Sequence, residues 1–140
     1  MSENKKPIEN SKKKPAIAGE VIAGFPSPAE QYLESPLDLN ELLVKHPAAT
    51  YYVRVAGDSM INAGINQGDI LVVDRSLQPQ NGSVVIAAID YEFTVKYLRT
   101  DGENVRLEAA NENFKPIVFK SGMELKIFGV VTSVIHQFVK

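Results

Sequence analysis

The chain has 140 residues, 44% of them hydrophobic and 23% charged, with a net charge of −2 and no cysteine. This length suits one domain of roughly 100 to 150 residues, and the composition is that of a globular body, not of a chain disordered throughout. Without cysteine there can be no disulfide, thiolate nucleophile or cysteine-ligated zinc, so any nucleophile is an oxygen.

Residues 1–15 are Lys, Asn, Ser, Glu and Pro with almost nothing to bury, and read as a flexible arm. Residues 1–23 hold five lysines against three glutamates, or +2, so the remainder carries −2 minus +2, or −4. Tight DNA binding draws on clustered Lys and Arg, so little direct DNA binding is expected of that acidic body. No apolar core follows the first lysines as a signal peptide requires, and no run of about 18 apolar residues marks a membrane span. A cytoplasmic chain without membrane attachment is expected.

Residues 16–28 are small and apolar up to Pro26 and Pro28, which lock an extended path. Ser35-Pro36-Leu37-Asp38 predicts a helix start, with Ser35 as N-cap, Pro36 at the first helical position and Asp38 in the first turn. Leu39, Leu42 and Leu43 would share one face, and Pro47 should end the helix by His46. Thereafter residues 50–55, 69–74, 83–90, 93–100, 105–109, 117–119 and 126–138 are rich in Val, Ile, Tyr, Phe and Thr and mostly bounded by Gly, Asn, Asp or Pro. Asp101-Gly102 is a hairpin turn signal. Seven short strands and one short helix predict a mainly β fold, a curled sheet or small barrel. No repeat and no helix-turn-helix accompanies them.

The chemistry concentrates in two places. Gly57-Asp58-Ser59-Met60 follows the end of the first strand, where a glycine leaves a serine hydroxyl and its neighbouring N–H groups unobstructed. Alone, Ser59 also reads as a turn residue beside Asp58. In Phe93-Thr94-Val95-Lys96-Tyr97-Leu98 the period of two sets Thr94, Lys96 and Leu98 opposite Phe93, Val95 and Tyr97. Alone, Lys96 reads as an edge lysine. A lysine can activate a serine only as the neutral amine, which at its ordinary pKa of about 10.4 is roughly one molecule in a thousand near neutral pH. Burial against apolar groups is the available means of raising that fraction. A Ser-His-Asp triad would need His46, set between a helix end and Pro47, or His136, in the last strand, and both read as structural. Two distant histidines and no cysteine support neither metal nor cofactor.

Val55-x-Gly57-Asp58-Ser59-Met60, Ile65, Gly68-Asp69, Val73-Asp74 and Phe93-Thr94-Val95-Lys96 together resemble the self-cleaving serine-lysine peptidases of the LexA/UmuD family. The resemblance implies the family's C-terminal β fold, Ser59 as nucleophile, Lys96 as general base, and the main-chain N–H groups of Asp58 and Ser59 as the oxyanion hole. That family cuts an Ala-Gly or Cys-Gly bond in an N-terminal segment. Ala23-Gly24 is chosen because Gly24-Phe25-Pro26-Ser27-Pro28-Ala29 resembles the UmuD sequence after its cut, and Ala18-Gly19 is the alternative. Residues 1–23 would then be the removable arm, and 24–140 the peptidase and interaction domain.

The UmuD branch is favoured because about 23 mostly polar residues cannot make a DNA-reading domain. The implied protein is a homodimeric accessory subunit of an error-prone translesion polymerase. A RecA filament on single-stranded DNA would prompt its cleavage, and a UmuC-type polymerase subunit, with other polymerase or sliding-clamp components, would be its partner. The competing readings are a LexA-like or phage repressor's self-cleaving domain, a leader peptidase with a related dyad, and an interaction module that never cleaves.

Overall fold

The computed structural model describes residues 15, 36–119 and 124–140. The chain divides into compact units at residues 1–42 and 43–140. In the first, the Leu37 N–H donates to Pro15 O at 2.8 Å. The helix, α1 (Leu39–Leu43), starts later than Pro36. Asp38 takes the N-cap role, its Oδ1 accepting from the Asn40 N–H at 2.9 Å. The apolar face expected of α1 is not buried, since Leu39 is 59% exposed. Ser35 lies outside the described residues.

Every expected strand forms: β1 (Thr50–Arg54), β2 (Ile70–Asp74), β3 (Val84–Ile89), β4 (Glu92–Thr100), β5 (Val105–Glu108), β6 (Ile117–Val118) and β7 (Leu125–Ile135). They make one seven-stranded sheet in the order β1-β2-β7-β3-β4-β5-β6, with every pairing antiparallel. Two hairpins need special turns. Asp90 and Tyr91 close β3 onto β4 with φ of 48° and 74°, the left-handed pair that fits a two-residue connection to strand twist. Between β4 and β5 the Asp101 carboxylate accepts from the N–H groups of Glu103 and Asn104, and Gly102 takes a φ of 102°.

The central strand β3 is buried on both faces. Ile86 belongs to a cluster with Val55, Met60, Ile65, Leu71, Val73 and Ala110, and Val85 and Ala87 to a second with Leu98 and Leu107. Each fully buried Leu or Val contributes about 2 kcal/mol relative to an exposed one.

Among the described residues the sheet curls without closing into a barrel, with β1 and β6 as its two ends. In a flat sheet β1 and β4, four steps apart, would be separated by about 19 Å, yet both line the cavity that holds Ser59. Two bulges in β7 accompany the bend. The register skips Thr132 between Val72 and Val73 and Phe128 between Ile86 and Ala87. At Gly129 a Cβ would stand 2.7 Å from Val73 Cγ1, so only glycine lets β7 pass there.

Candidate active site

Gly57 has a φ of +90° with no atom near its missing Cβ, so glycine serves here for backbone conformation and not for space. It turns the chain out of β1 into Asp58 and Ser59, and a 3-10 turn at Ile61–Ala63 follows. Met60, 1% exposed, anchors the turn in the first core cluster. From across the curled sheet, β4 brings Lys96 to the same place.

Lys96 Nζ lies 3.0 Å from Ser59 Oγ, 2.7 Å from Thr94 Oγ1 and 3.2 Å from Val95 O. Thr94 sits two residues along the same strand face, so one face of β4 supplies both the amine and a group that aims it. As an ammonium, Lys96 would donate to all three oxygens. As a neutral amine it keeps two N–H donors, for Thr94 Oγ1 and Val95 O, and offers its lone pair to the Ser59 hydroxyl. The surroundings accommodate either form.

Burial shifts the balance toward the neutral amine. Lys96 is 8% exposed, and among the described residues no carboxylate forms an ion pair with it. Removal from water, uncompensated by an anion, holds its pKa below the ordinary 10.5. The amine therefore releases its proton more readily than a surface lysine.

Beside the pair is a cavity of about 210 Å³ whose walls include Val53, Val55, Leu71, Ile86 and Val95 with Ser59 and Thr94. Phe93 stands at it too, its ring 5.5 Å edge-on from that of Phe128. An extended apolar segment could lie here with its backbone at the serine.

The two histidines are engaged elsewhere, at the two ends of β2. His46 Nδ1 is 2.6 Å from Asp74 Oδ2, and His136 Nδ1 is 2.5 Å from Asp69 Oδ1. Both aspartates are buried. Asp74 also accepts from the Ser76 hydroxyl and N–H. Those bonds, with that of His46, outweigh desolvation and hold its pKa down to about 2. For Asp69, burial pushes upward, but the Asn66 N–H and His136 leave it below the ordinary carboxylate range. Neither imidazole contacts Ser59, so the structural reading of both holds.

A contact that the sequence did not disclose is made by Asn111, whose Nδ2 donates to Asp58 O at 2.9 Å. Its only sequence signal is a polar residue soon after a strand, which is common to most loops. Ala23, Gly24, Ala18 and Gly19 lie outside the described residues.

Residues 15–132 match the family described as Peptidase S24-like. The chain belongs to that peptidase family. It is 45% identical over 131 residues to ImpA of Salmonella typhimurium, covering 92% of this chain and 88% of that one. With MucA of Escherichia coli it shares 46% over 114 residues, 80% of this chain and 77% of that one. A LexA repressor from Shewanella sp. strain ANA-3 is 40% identical over 130 residues, 92% of this chain and 63% of the repressor. The resemblance to LexA/UmuD peptidases therefore holds, with UmuD-like proteins among the relatives.

Proposed function

We propose that this S24-like peptidase cleaves its own N-terminal segment at Ala23-Gly24, using Ser59 as nucleophile and Lys96 as general base, as a switch in the SOS response to DNA damage. The observation that carries the reading is the 3.0 Å approach of Ser59 Oγ to a buried lysine that has no carboxylate partner among the described residues. The neutral amine takes the hydroxyl proton as Ser59 Oγ bonds to the Ala23 carbonyl carbon, whose C=O electron pair becomes an oxyanion. Collapse breaks the Ala23-Gly24 bond, and the new Gly24 amine takes the proton held by Lys96. Water then hydrolyses the acyl-serine by the same base. The Asp58 and Ser59 N–H groups are the proposed oxyanion donors.

The trimmed chain, residues 24–140, is proposed to act as a homodimer with a UmuC-type translesion polymerase subunit, cleavage being stimulated by a RecA filament on single-stranded DNA. Similarity to ImpA, SamA and MucA supports this assignment. The acidic balance of the body fits a subunit that reaches DNA through its partners.

Mass spectrometry of the full chain, incubated with a RecA filament or at alkaline pH, tests the chemistry. A product beginning at Gly24 is expected from wild type, and none from Ser59→Ala or Lys96→Ala. A Gly24 product from Ser59→Ala would overturn the dyad, and a product beginning at Gly19 would move the cut.

A further inference from the structure

The Ser59 loop is clamped by the segment after β5. Asn62 donates its N–H to Ala110 O at 2.8 Å, the Ala110 N–H points to Met60 Sδ at 3.3 Å, and Asn111 Nδ2 donates to Asp58 O at 2.9 Å. The Asn111 amide is itself oriented: its Oδ1 accepts from the Asn113 N–H at 2.9 Å, which directs the NH₂ end to Asp58. Asp58 O accepts a second bond from the Ile61 N–H at 3.2 Å. Two donors thus define where that carbonyl points.

The Asp58 carbonyl and the Ser59 N–H belong to one peptide group. In a planar trans peptide they point in opposite directions, and no described peptide bond is cis. Drawing the carbonyl toward Asn111 and Ile61 turns the Ser59 N–H away from them, and no acceptor among the described residues takes it. Were this peptide to flip, an oxygen would replace the N–H at the nucleophile and repel a developing negative charge. The Asn111 contact is solvent-exposed, so its share of folding stability is small and its effect on peptide orientation is separable from folding.

We propose that Asn111 is a positioning residue that locks the Asp58-Ser59 peptide with its N–H directed to the oxyanion. This rests on self-cleavage by Ser59 and Lys96. It adds a side chain 52 residues beyond Ser59 whose action is on the backbone and not on the proton.

The test is the rate of self-cleavage of the full chain against pH for wild type, Asn111→Ala and Asn111→Asp, with Ser59→Ala alongside. Asn111→Asp keeps the size and the contact to Asn113 while replacing the donor by an oxygen, and serves should Asn111→Ala not fold. The expected result is a plateau lowered about 10- to 100-fold, with the Asn111→Ala inflection where wild type has it and the thermal midpoint unchanged. A plateau within about twofold of wild type overturns the proposal, since an oxyanion donor is worth far more. A plateau that falls together with a displaced Asn111→Ala inflection, or failure of both variants to fold, also overturns it, because the contact then supports the loop as a whole. Cleavage persisting in Ser59→Ala would sink the dyad itself, a different failure read from a different sample.

Discussion

Thr94 Oγ1 stands closer to Lys96 Nζ, at 2.7 Å, than Ser59 Oγ does, at 3.0 Å. The amine is held by its own strand, through Thr94 Oγ1 and Val95 O, as well as by Ser59. Thr94→Val removes this acceptor at nearly constant volume. A hydrogen bond to a charged group is worth more than one to a neutral group, so its loss disfavours the ammonium and moves the Lys96 pKa further down. The inflection of cleavage rate against pH should fall while the plateau drops about 10-fold, because the lone pair is less well aimed. Rates measured across pH check both signs. An inflection that rises would refute the assignment.

Lys96 itself is held at a cost to folding. Its folded pKa lies below 10.5, so between the two values the unfolded chain binds a proton that the folded chain does not, and stability rises with pH through that window. Lys96→Met should abolish cleavage, stabilise the fold by about 1 kcal/mol and raise the thermal midpoint by about 3 °C. Calorimetry near neutral pH measures the gain. The variant should also lose part of the alkaline rise in stability.

Asp74 acts at the other end of the scale. With a folded pKa of about 2 against an ordinary 3.8, its contribution is complete above 3.8 and disappears as pH falls through 2. Asp74→Asn should flatten the acid limb of the stability curve without touching cleavage chemistry near neutral pH. Asp69, also held low, leaves a residual slope. Denaturant titrations from pH 5 to pH 2 provide the comparison.

Gly129→Ala places a methyl 2.7 Å from Val73 Cγ1 and 3.3 Å from Asp74 O. The backbone cannot yield without breaking the β2–β7 ladder, so a loss of about 1–3 kcal/mol is expected. Gly57→Ala meets no atom and should cost about 1–2 kcal/mol through φ alone, with slower cleavage as Ser59 shifts. Chemical denaturation and cleavage rates together separate packing from backbone strain.

Much of the sheet was legible because strand signals are local. Thr50 to Arg54 and Ile70 to Asp74 announce themselves by β-branched and aromatic residues between turn formers, whatever they pair with. The helix was harder. Ser35 and Asp38 are both good caps by composition, and hydrogen bonding to Asn40 favours Asp38. The Asp90-Tyr91 turn carries no glycine to mark it, although its φ values are those of a two-residue hairpin.

Seven strands were determined by the sequence by itself, since residue type and a period of two are properties of neighbours along the chain, and the resemblance carried by the Gly57–Met60 and Phe93–Lys96 motifs made Ser59 and Lys96 candidates. Only the tertiary structure decided that Lys96 is buried with no carboxylate partner among the described residues, that both histidines are spent on the ends of β2, and that Asn111 reaches Asp58. Desolvation and hydrogen bonding are set by whatever the fold packs around a group. Here that depends on a strand order in which β7 lies between β2 and β3 and on a curl that brings β1 to β4.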